Sequence, residues 1–430
     1  MSKECVSLEG EIIITAVIVV GLALYFDFTN GFHDSANQVA TVITSNALTP
    51  KVALTTAAVA NFIGAYFLGT EVAQTLGKGI VDPSLLETGR EGVYIIIAAL
   101  LGATTWNIIT WWFGIPSSSS HALIGGLIGA FMIGWGPGPI IWQNVWKIIA
   151  IMILSPVVGF LACLLFTKVT LTFSQWSTPN VNRTFKMLQI VSSITQALAH
   201  GTNDAQKTMG VIMFSLVVLG FYTTSTVTIP VPINQFLVRT ITALPAGVSP
   251  DAIDPDTVAT LTAGSTQENV PLTKAHRKRL IALLETDAVR RMSSAPADAE
   301  REQLLRGLHA LFIPGWVIFA CSLAMMVGTL SGGRRIIKKL GAGLYKVRPI
   351  HGFASQVVAT IVIEMAAVFG FPLSTTQVIS SSVMGAGAAF RPKMIRWTVA
   401  KDMGMAWLIT IPVSGLIAAA FFYVEARIFL

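Results

Sequence analysis

The chain has 430 residues, of which 53% are hydrophobic and only 12% are charged. Charged residues make up about 25% of a typical soluble domain, so this composition excludes an ordinary soluble protein. The formal net charge of +7 would suit a nucleic-acid-binding protein, but the basic residues lie in short loops between apolar segments. The positive-inside rule explains that placement, so we expect a multi-pass protein of the cell membrane that binds no nucleic acid.

Apolar segments that can cross a bilayer, which takes about 17–25 helical residues, recur along the chain. In chain order they are 11–30, 51–70, 93–113, 121–135, 146–167, 187–221, 310–329, 350–371, 377–390 and 404–424. They predict an all-α polytopic membrane protein with about 10–12 transmembrane segments, surrounded by membrane lipid.

Three loops concentrate the basic residues, at 168–186, 334–348 and 391–401. Even numbers of apolar segments separate these loops. All three loops can therefore lie in the cytoplasm, as the positive-inside rule favours.

The first apolar segment ends in the polar stretch FTNGFHDSANQV, residues 28–39. A carboxylate such as that of Asp34 costs about 2.5–3.5 kcal/mol at the centre of a membrane helix, so a purely structural role is disfavoured. Asn30 and Gly31 are expected to break the helix here. Carbonyl oxygens freed by the break, together with oxygens of Asp34 and Asn37, would form a cage for a small cation such as sodium or a proton.

The sequence HGTNDAQKTMGVIM repeats this pattern later in the chain and aligns Asp204 with Asp34. Oxygens of Asp204, Asn203, Thr202 and Gln206 offer a second set of cation ligands. Cysteines are absent from both motifs, so hard-oxygen coordination is expected rather than a transition-metal centre, and no organic cofactor is indicated.

A second pair of motifs, GIPSSSSH and GFPLSTTQ, aligns Pro116 with Pro372. Proline fits the first turn of a helix and Ser or Thr caps its free N–H groups, so both motifs predict helix N-termini, where anions bind. The alternative is that these serine-rich turns only cap helices. Lys207 could neutralise a bound anion, or it could pair with Asp204 or extend to the membrane surface. The expected anion ligands are Ser117, Ser118, Ser119, Ser120, Ser374, Thr375, Thr376, Gln206 and Lys207.

The two pairs of motifs have the same spacing once the polar stretch 222–308 is left out. We infer a duplication, with residues 1–221 holding the first repeat and the start of the second, 222–308 forming an inserted loop, and 309–430 completing the second repeat. An odd number of segments separates the acidic motifs, which predicts opposite orientations of the repeats. Inverted repeats are typical of secondary transporters, whose substrate sites lie where the repeats meet.

Two other functions fit the sequence less well. A membrane hydrolase built on Ser120 and His121 would lack a G-x-S-x-G elbow and would leave the duplication without purpose. A permease subunit of an ATP-driven importer would not need intramembrane acids, and the chain contains no G-x-x-x-x-G-K-[ST] loop. We therefore expect a transporter and not an enzyme.

The four motifs resemble the duplicated signatures of the inorganic phosphate transporter (PiT) family. GFHDSANQV and GTNDAQK resemble its G-x-N-D-x-A-N element, and GIPSSSSH and GFPLSTTQ its G-[LI]-P-x-S-[ST]-[ST]-H element. The resemblance implies symport of inorganic phosphate with sodium or protons, inverted repeats and a homodimer. It implies phosphate binding by the hydroxyls at 118–120 and 374–376, and cation binding by Asp34, Asp204, Asn37 and Asn203. With Asn30 and Thr202, which the motifs themselves offer, these residues are the expected sodium ligands.

The chain departs from the family pattern at several positions. His33, Gln206, Lys207 and Gln377 replace motif residues, and Asn61 and Gln356 stand where some relatives have glutamates. Fewer protonatable carboxylates favour sodium over proton coupling. A proton-coupled phosphate symporter and a sulfate symporter of the same fold stay open as alternatives.

Overall fold

The structure, a computed structural model, describes residues 3–81, 90–178, 180–219, 221, 313–333, 336–337 and 343–429. The chain divides into two compact units, Met1–Leu219 with Ile313–Leu430, and Gly220–Phe312. The loop predicted at 222–308 lies outside the described residues. The membrane helices and the candidate site belong to the first unit.

Eleven α-helices account for nearly all of the described residues, and strands are absent from these ranges. Each of the ten predicted apolar segments overlaps one helix, and only α3 was not expected. The all-α class predicted from the sequence is therefore confirmed. The helices are α1 (Lys3–Thr44), α2 (Pro50–Phe67), α3 (Glu71–Gly79), α4 (Arg90–Trp112), α5 (Ser119–Gly134), α6 (Trp142–Ser174), α7 (Val181–Val218), α8 (Gly315–Ser331), α9 (Pro349–Val368), α10 (Thr375–Phe390) and α11 (Trp397–Phe429).

Five of these helices, α1, α4, α6, α9 and α11, are long and apolar enough to cross a membrane. Six spans result if α2 and α3, which are bent by 72° at their junction, form one broken span. The protein therefore crosses the membrane several times, but the described residues contain fewer full spans than the 10–12 expected. Helices α5 and α8 are apolar but short, and α7 carries a row of polar residues.

The expected break of the helix at Gly31 is wrong, because α1 and α7 run unbroken through both acidic motifs. The glycines instead allow close helix packing. A Cβ atom on Gly31 would lie 2.5 Å from the carbonyl oxygen of Met325 in α8, and one on Gly201 would collide with the carbonyl oxygen of Asn61 in α2. Because the backbone carbonyls stay in helical hydrogen bonds, a cation at this depth must be bound mainly by side chains.

Both serine motifs begin helices, as predicted. Gly114 and Gly370 adopt φ values of 62° and 69°, which favour glycine, and reverse the chain between α4 and α5 and between α9 and α10. The side chains of Ser118 and Ser374 then cap α5 and α10. Two helical hairpins result, α4–α5 and α9–α10.

The tips of the two hairpins meet in the interior of the unit. Ser120 Oγ, in the first turn of α5, donates a hydrogen bond to the carbonyl oxygen of Leu373, just before α10, at 3.1 Å. Helices α1 and α7 pass this junction in opposite directions, since Asp27 contacts Thr208 while Ser45 contacts Gln189. The inverted orientation of the complete repeats stays a prediction.

Candidate functional site

The two aligned acids lie side by side beneath the hairpin tips. Asp34 of α1 and Asp204 of α7 are both fully buried. Nε2 of His200 lies 3.6 Å from Asp34 Oδ2 and 3.4 Å from Asp204 Oδ2, so the imidazole stands between the carboxylates. One ligand atom from each of the three residues falls within 4.8 Å of the others, a spacing that suits one cation.

Amide, hydroxyl and imidazole groups surround the first carboxylate. Asn37 Nδ2 and Thr376 Oγ1 donate hydrogen bonds to Asp34 Oδ1 at 2.9 Å and 3.0 Å, and His33 Nδ1 lies 3.1 Å from the same oxygen. Within the described part of the chain, Asp34 Oδ2 and Asn37 Oδ1 accept no hydrogen bond. Two oxygens near Asp34 therefore remain available to a cation.

A lysine neutralises the second carboxylate. Nζ of Lys207 lies 2.5 Å from Asp204 Oδ1, and it also donates to Ser120 Oγ at 2.5 Å and to the carbonyl oxygen of Leu373 at 2.9 Å. Thr375 Oγ1 donates to Asp204 Oδ2 at 3.0 Å. The ammonium group thus links Asp204 to both hairpin tips.

Aligned positions of the two acidic motifs therefore hold different charges. Asn37 and Lys207 each follow their acid by three residues, and each contacts a hydroxyl of a hairpin tip, Thr376 at 3.1 Å or Ser120 at 2.5 Å. The carboxylates of Asp34 and Asp204 and the ammonium group of Lys207 together carry one net negative charge. A single monovalent cation would balance it.

The predicted hydroxyl ligands divide into two groups. Ser119 donates to Asn30 Oδ1 at 2.6 Å, and Ser120, Thr375 and Thr376 contact the acids or Lys207, so these four lie at the centre. The other three hydroxyls form hydrogen bonds within the hairpins. Ser118 and Ser374 are N-caps, and Ser117 lies 2.7 Å from Thr110 of α4.

The remaining predicted cation ligands are only partly brought together. Asn30 Nδ2 donates to Asp204 Oδ2 at 3.4 Å and belongs to the centre. Asn203 Nδ2 reaches the carbonyl oxygen of Phe371 at 3.5 Å, beside the second hairpin tip. Thr202 Oγ1 donates to the carbonyl oxygen of Leu198 in its own helix. Thr202 therefore lies apart from the acids.

Gln206 holds the junction between α2 and α3. Its Oε1 accepts from the N–H of Val72 and its Nε2 donates to the carbonyl oxygen of Gly69, both at 2.8 Å. Both ends of the amide are thus bound to backbone groups of this junction rather than to the hydroxyls of the hairpin tips. A direct role in anion binding is not supported by these contacts.

Replacing Gln206 with leucine is expected to lower the free energy of unfolding by about 1–3 kcal/mol, because the buried N–H of Val72 loses its acceptor. The KM for phosphate should be unchanged. Thermal unfolding and uptake kinetics, compared with the exposed variant Gln143→Leu, measure both effects. A raised KM at unchanged stability would restore Gln206 as a phosphate ligand.

Sequence analysis missed two central groups. His200 precedes Asp204 by one helical turn, a spacing that could have revealed it. Asp27 is fully buried two turns before Asp34; its Oδ1 accepts from Thr208 Oγ1 at 3.0 Å, and its Oδ2 has no hydrogen-bond partner in the described ranges. An acid inside an apolar run was the available signal for Asp27.

Comparisons with known proteins agree on one family. A family model described as the phosphate transporter family matches residues 30–418. The chain is 35% identical over 419 residues to a probable low-affinity inorganic phosphate transporter of Bacillus subtilis (strain 168), covering 97% of this chain and 99% of that protein. It is 34% identical over 406 residues to a protein of the same description from Rhizobium meliloti (strain 1021), covering 94% and 95%.

A solved structure described as the sodium-dependent phosphate transporter has the same fold. Its TM-score is 0.63 at 22% sequence identity, and the alignment covers 97% of this chain and 100% of that one. The likeness therefore extends over both acidic motifs and both hairpins.

Proposed function

The chain belongs to the phosphate transporter family, and from this membership we propose that it is a secondary active transporter that moves inorganic phosphate together with sodium across the cell membrane. Homologues of this family are described as transporters rather than enzymes. Transport here means that a central site is exposed to each side of the membrane in turn.

The observation that carries the proposal is the position of two buried carboxylates beside two helix N-termini. Helix N-termini attract anions through free N–H groups and the helix dipole. Asp34 and Asp204 repel an anion at the same place, and this repulsion is strong where water is excluded. A bound cation removes the repulsion, so phosphate would bind well only together with the cation. Coupling then follows from electrostatics.

The donor set favours sodium. Carboxylate, amide and hydroxyl oxygens around Asp34 are hard ligands that suit an alkali ion. Asn61 and Gln356, where some relatives carry glutamates, cannot exchange protons at ordinary pH. The solved structure of the same fold is described as sodium-dependent, and we extend that property to this chain as part of the proposal.

The phosphate ligands of the proposal are the four central hydroxyls, Ser119, Ser120, Thr375 and Thr376. Three of them now donate to Asn30 or to the acids. A sodium ion bound to the carboxylates competes for the same oxygen lone pairs. The released hydroxyl groups can then donate to a phosphate held between the hairpin tips, with Lys207 as a fixed positive charge.

Uptake of radiolabelled phosphate into proteoliposomes tests this function. We expect uptake that requires an inward sodium gradient, fails with a proton gradient alone and is unaffected by excess unlabelled sulfate. Liposomes without protein are the control. Uptake driven by a proton gradient would show that the coupling ion is the proton rather than sodium. Competition by sulfate would show that the transported anion is not phosphate alone. Absence of uptake under all of these gradients would refute the proposed function.

A further inference from the structure

A row of buried, uncharged polar side chains leads from the central acids to one end of the helix bundle. We call it the polar ladder, and its members are Thr41, Ser45, Gln189, Ser192, Gln196 and Gln356. They come from α7, α9 and the end of α1, with Ser45 directly after its last residue. Such a row is unusual in a membrane protein, where polar groups at depth generally face a partner or a water-filled path.

Side-chain contacts join the three helices along the ladder. The Gln356 amide lies 3.0 Å from Thr41 Oγ1 and 2.8 Å from Ser192 Oγ. One turn farther from the centre, Ser45 Oγ donates to Gln189 Oε1 at 2.7 Å. Hydrogen bonds between uncharged side chains therefore hold the three helices together along the ladder. A passing solute can break these bonds one at a time and form its own hydrogen bonds with the same side chains.

Several groups along this row lack partners. Both amide atoms of Gln196 are unpartnered within the described ranges, as are Gln189 Nε2 and Ser380 Oγ of α10. Gln196 is fully buried and lies one turn from His200 on the same face of α7. Ser380 lines a small cavity together with Asn37 and Thr41. Unpartnered amides and hydroxyls at this depth are costly, which points to water or a hydrated solute as their partner.

The opposite side of the centre has a different lining. Beyond Asp27, the buried positions of α1 toward its N-terminus include Ala23 and Val19. A small cavity on that side has only apolar residues in its wall, among them Phe131, Val211 and Phe214. The central site is thus bordered by polar groups in one direction and by packed apolar side chains in the other.

The polar ladder ends at the face that carries the basic loops. Gln189 lies two turns after Arg183 in α7, and Gln356 two turns after Arg348 at the start of α9. The positive-inside rule assigns this face to the cytoplasm.

We propose that the polar ladder is the path by which phosphate and sodium pass between the central site and the cytoplasm. This inference rests on the proposed function. Amides and hydroxyls offer both donors and acceptors, so they can replace parts of the hydration shells of an anion and a cation. Because the ladder residues carry no charge, they do not trap either ion, and rapid passage requires such weak binding.

Cysteine accessibility tests the path. Thr41→Cys and Ser380→Cys, in a chain whose Cys5, Cys163 and Cys321 are replaced by alanine, are exposed to a membrane-impermeant thiol reagent in inside-out vesicles. Val211→Cys, equally buried on the apolar side, is the matched control. We expect the cysteines of Thr41→Cys, in the ladder, and Ser380→Cys, in the cavity beside it, to react at least about tenfold faster than the control. Such a ratio corresponds to a tenfold larger population of molecules in which the position is accessible. Equal rates, or no reaction in variants that still take up phosphate, would overturn the path.

Gln196→Leu supplies a second, kinetic test. The uptake rate should fall about tenfold, because an ion that passes leucine lacks one polar partner and the barrier to passage rises. Equilibrium binding of phosphate to the detergent-solubilised protein should be unchanged. Gln196→Asn, which keeps an amide, should recover most of the rate. A wild-type rate in Gln196→Leu, or parallel loss of phosphate binding, would refute the role of this residue in passage.

The two experiments separate the path from the function. If the wild-type protein takes up no phosphate under any gradient, the proposed function fails. If it takes up phosphate while the cysteines of Thr41→Cys and Ser380→Cys stay unreactive, only the path fails.

Discussion

Replacing Asp34 or Asp204 with asparagine is expected to lower sodium-dependent phosphate uptake at least about a hundredfold, since removal of one charge from a buried, paired site costs about 3–5 kcal/mol. In Asp34→Asn the cation loses its main anionic ligand. In Asp204→Asn the ammonium group of Lys207 loses its partner at 2.5 Å and becomes an unpaired buried charge. Initial uptake rates in proteoliposomes measure both effects.

Both variants are expected to fold, with a lower unfolding temperature in Asp204→Asn because of the unpaired ammonium group. Asparagine keeps one carbonyl oxygen that can accept from Thr376 or Thr375. Size-exclusion chromatography and thermal unfolding check this point. Asp402→Asn, on an exposed position of α11, is the matched control and should take up phosphate normally. Wild-type uptake in Asp34→Asn or Asp204→Asn would remove that acid from the coupling site.

Lys207 is expected to act as a built-in cation that takes the place of one sodium ion. Lys207→Met should lower uptake at low sodium at least about a hundredfold, because Asp204 would then be buried without a counter-charge. Lys207→Asn recreates the residue at the equivalent position, Asn37. This variant should regain uptake at high sodium, with a steeper dependence on sodium concentration, since a second ion now fills the place of the ammonium group.

Initial rates measured over a series of sodium concentrations distinguish the two variants. Lys401→Asn, an exposed replacement in the first turns of α11, controls for loss of positive charge and should leave the sodium dependence unchanged. If neither Lys207 variant changes the sodium dependence, the lysine does not substitute for an ion. The pair Lys207–Asp204 would then be structural.

Sequence patterns predicted the features that are encoded locally. Apolar runs located the helices, and the serines of both motifs located the helix starts, because an N-cap acts within one turn. The expected place of the prolines in the first turn is wrong, since Pro116 and Pro372 each lie two residues before the N-caps Ser118 and Ser374. The alignment of the two acidic motifs also paired Asp34 with Asp204. Their close approach agrees with the predicted duplication, in which matching segments meet at a central site.

Features that depend on distant partners could not be predicted. A glycine in a polar stretch suits either a helix break or a close crossing, and the choice at Gly31 depends on Met325, which lies almost 300 residues away in the sequence. Gln206 has the composition of a ligand, but its partners are backbone groups of Gly69 and Val72. The burial of Lys207 against Ser120 likewise follows from packing across the repeats.

The two glycine crossings have a mechanical consequence for α1 and α7. Gly201 lies near the middle of α7 and Gly31 about two thirds of the way along α1, each one turn from an acid, and each packs directly against the backbone of a neighbouring helix. A stiff rod held at one interior point behaves as a lever about that pivot, so displacement of one end requires opposite displacement of the other. A tilt of α1 and α7 that separates the helices at the polar ladder would therefore pack them more tightly at the apolar side. The acids, which lie next to the pivot, would hardly move.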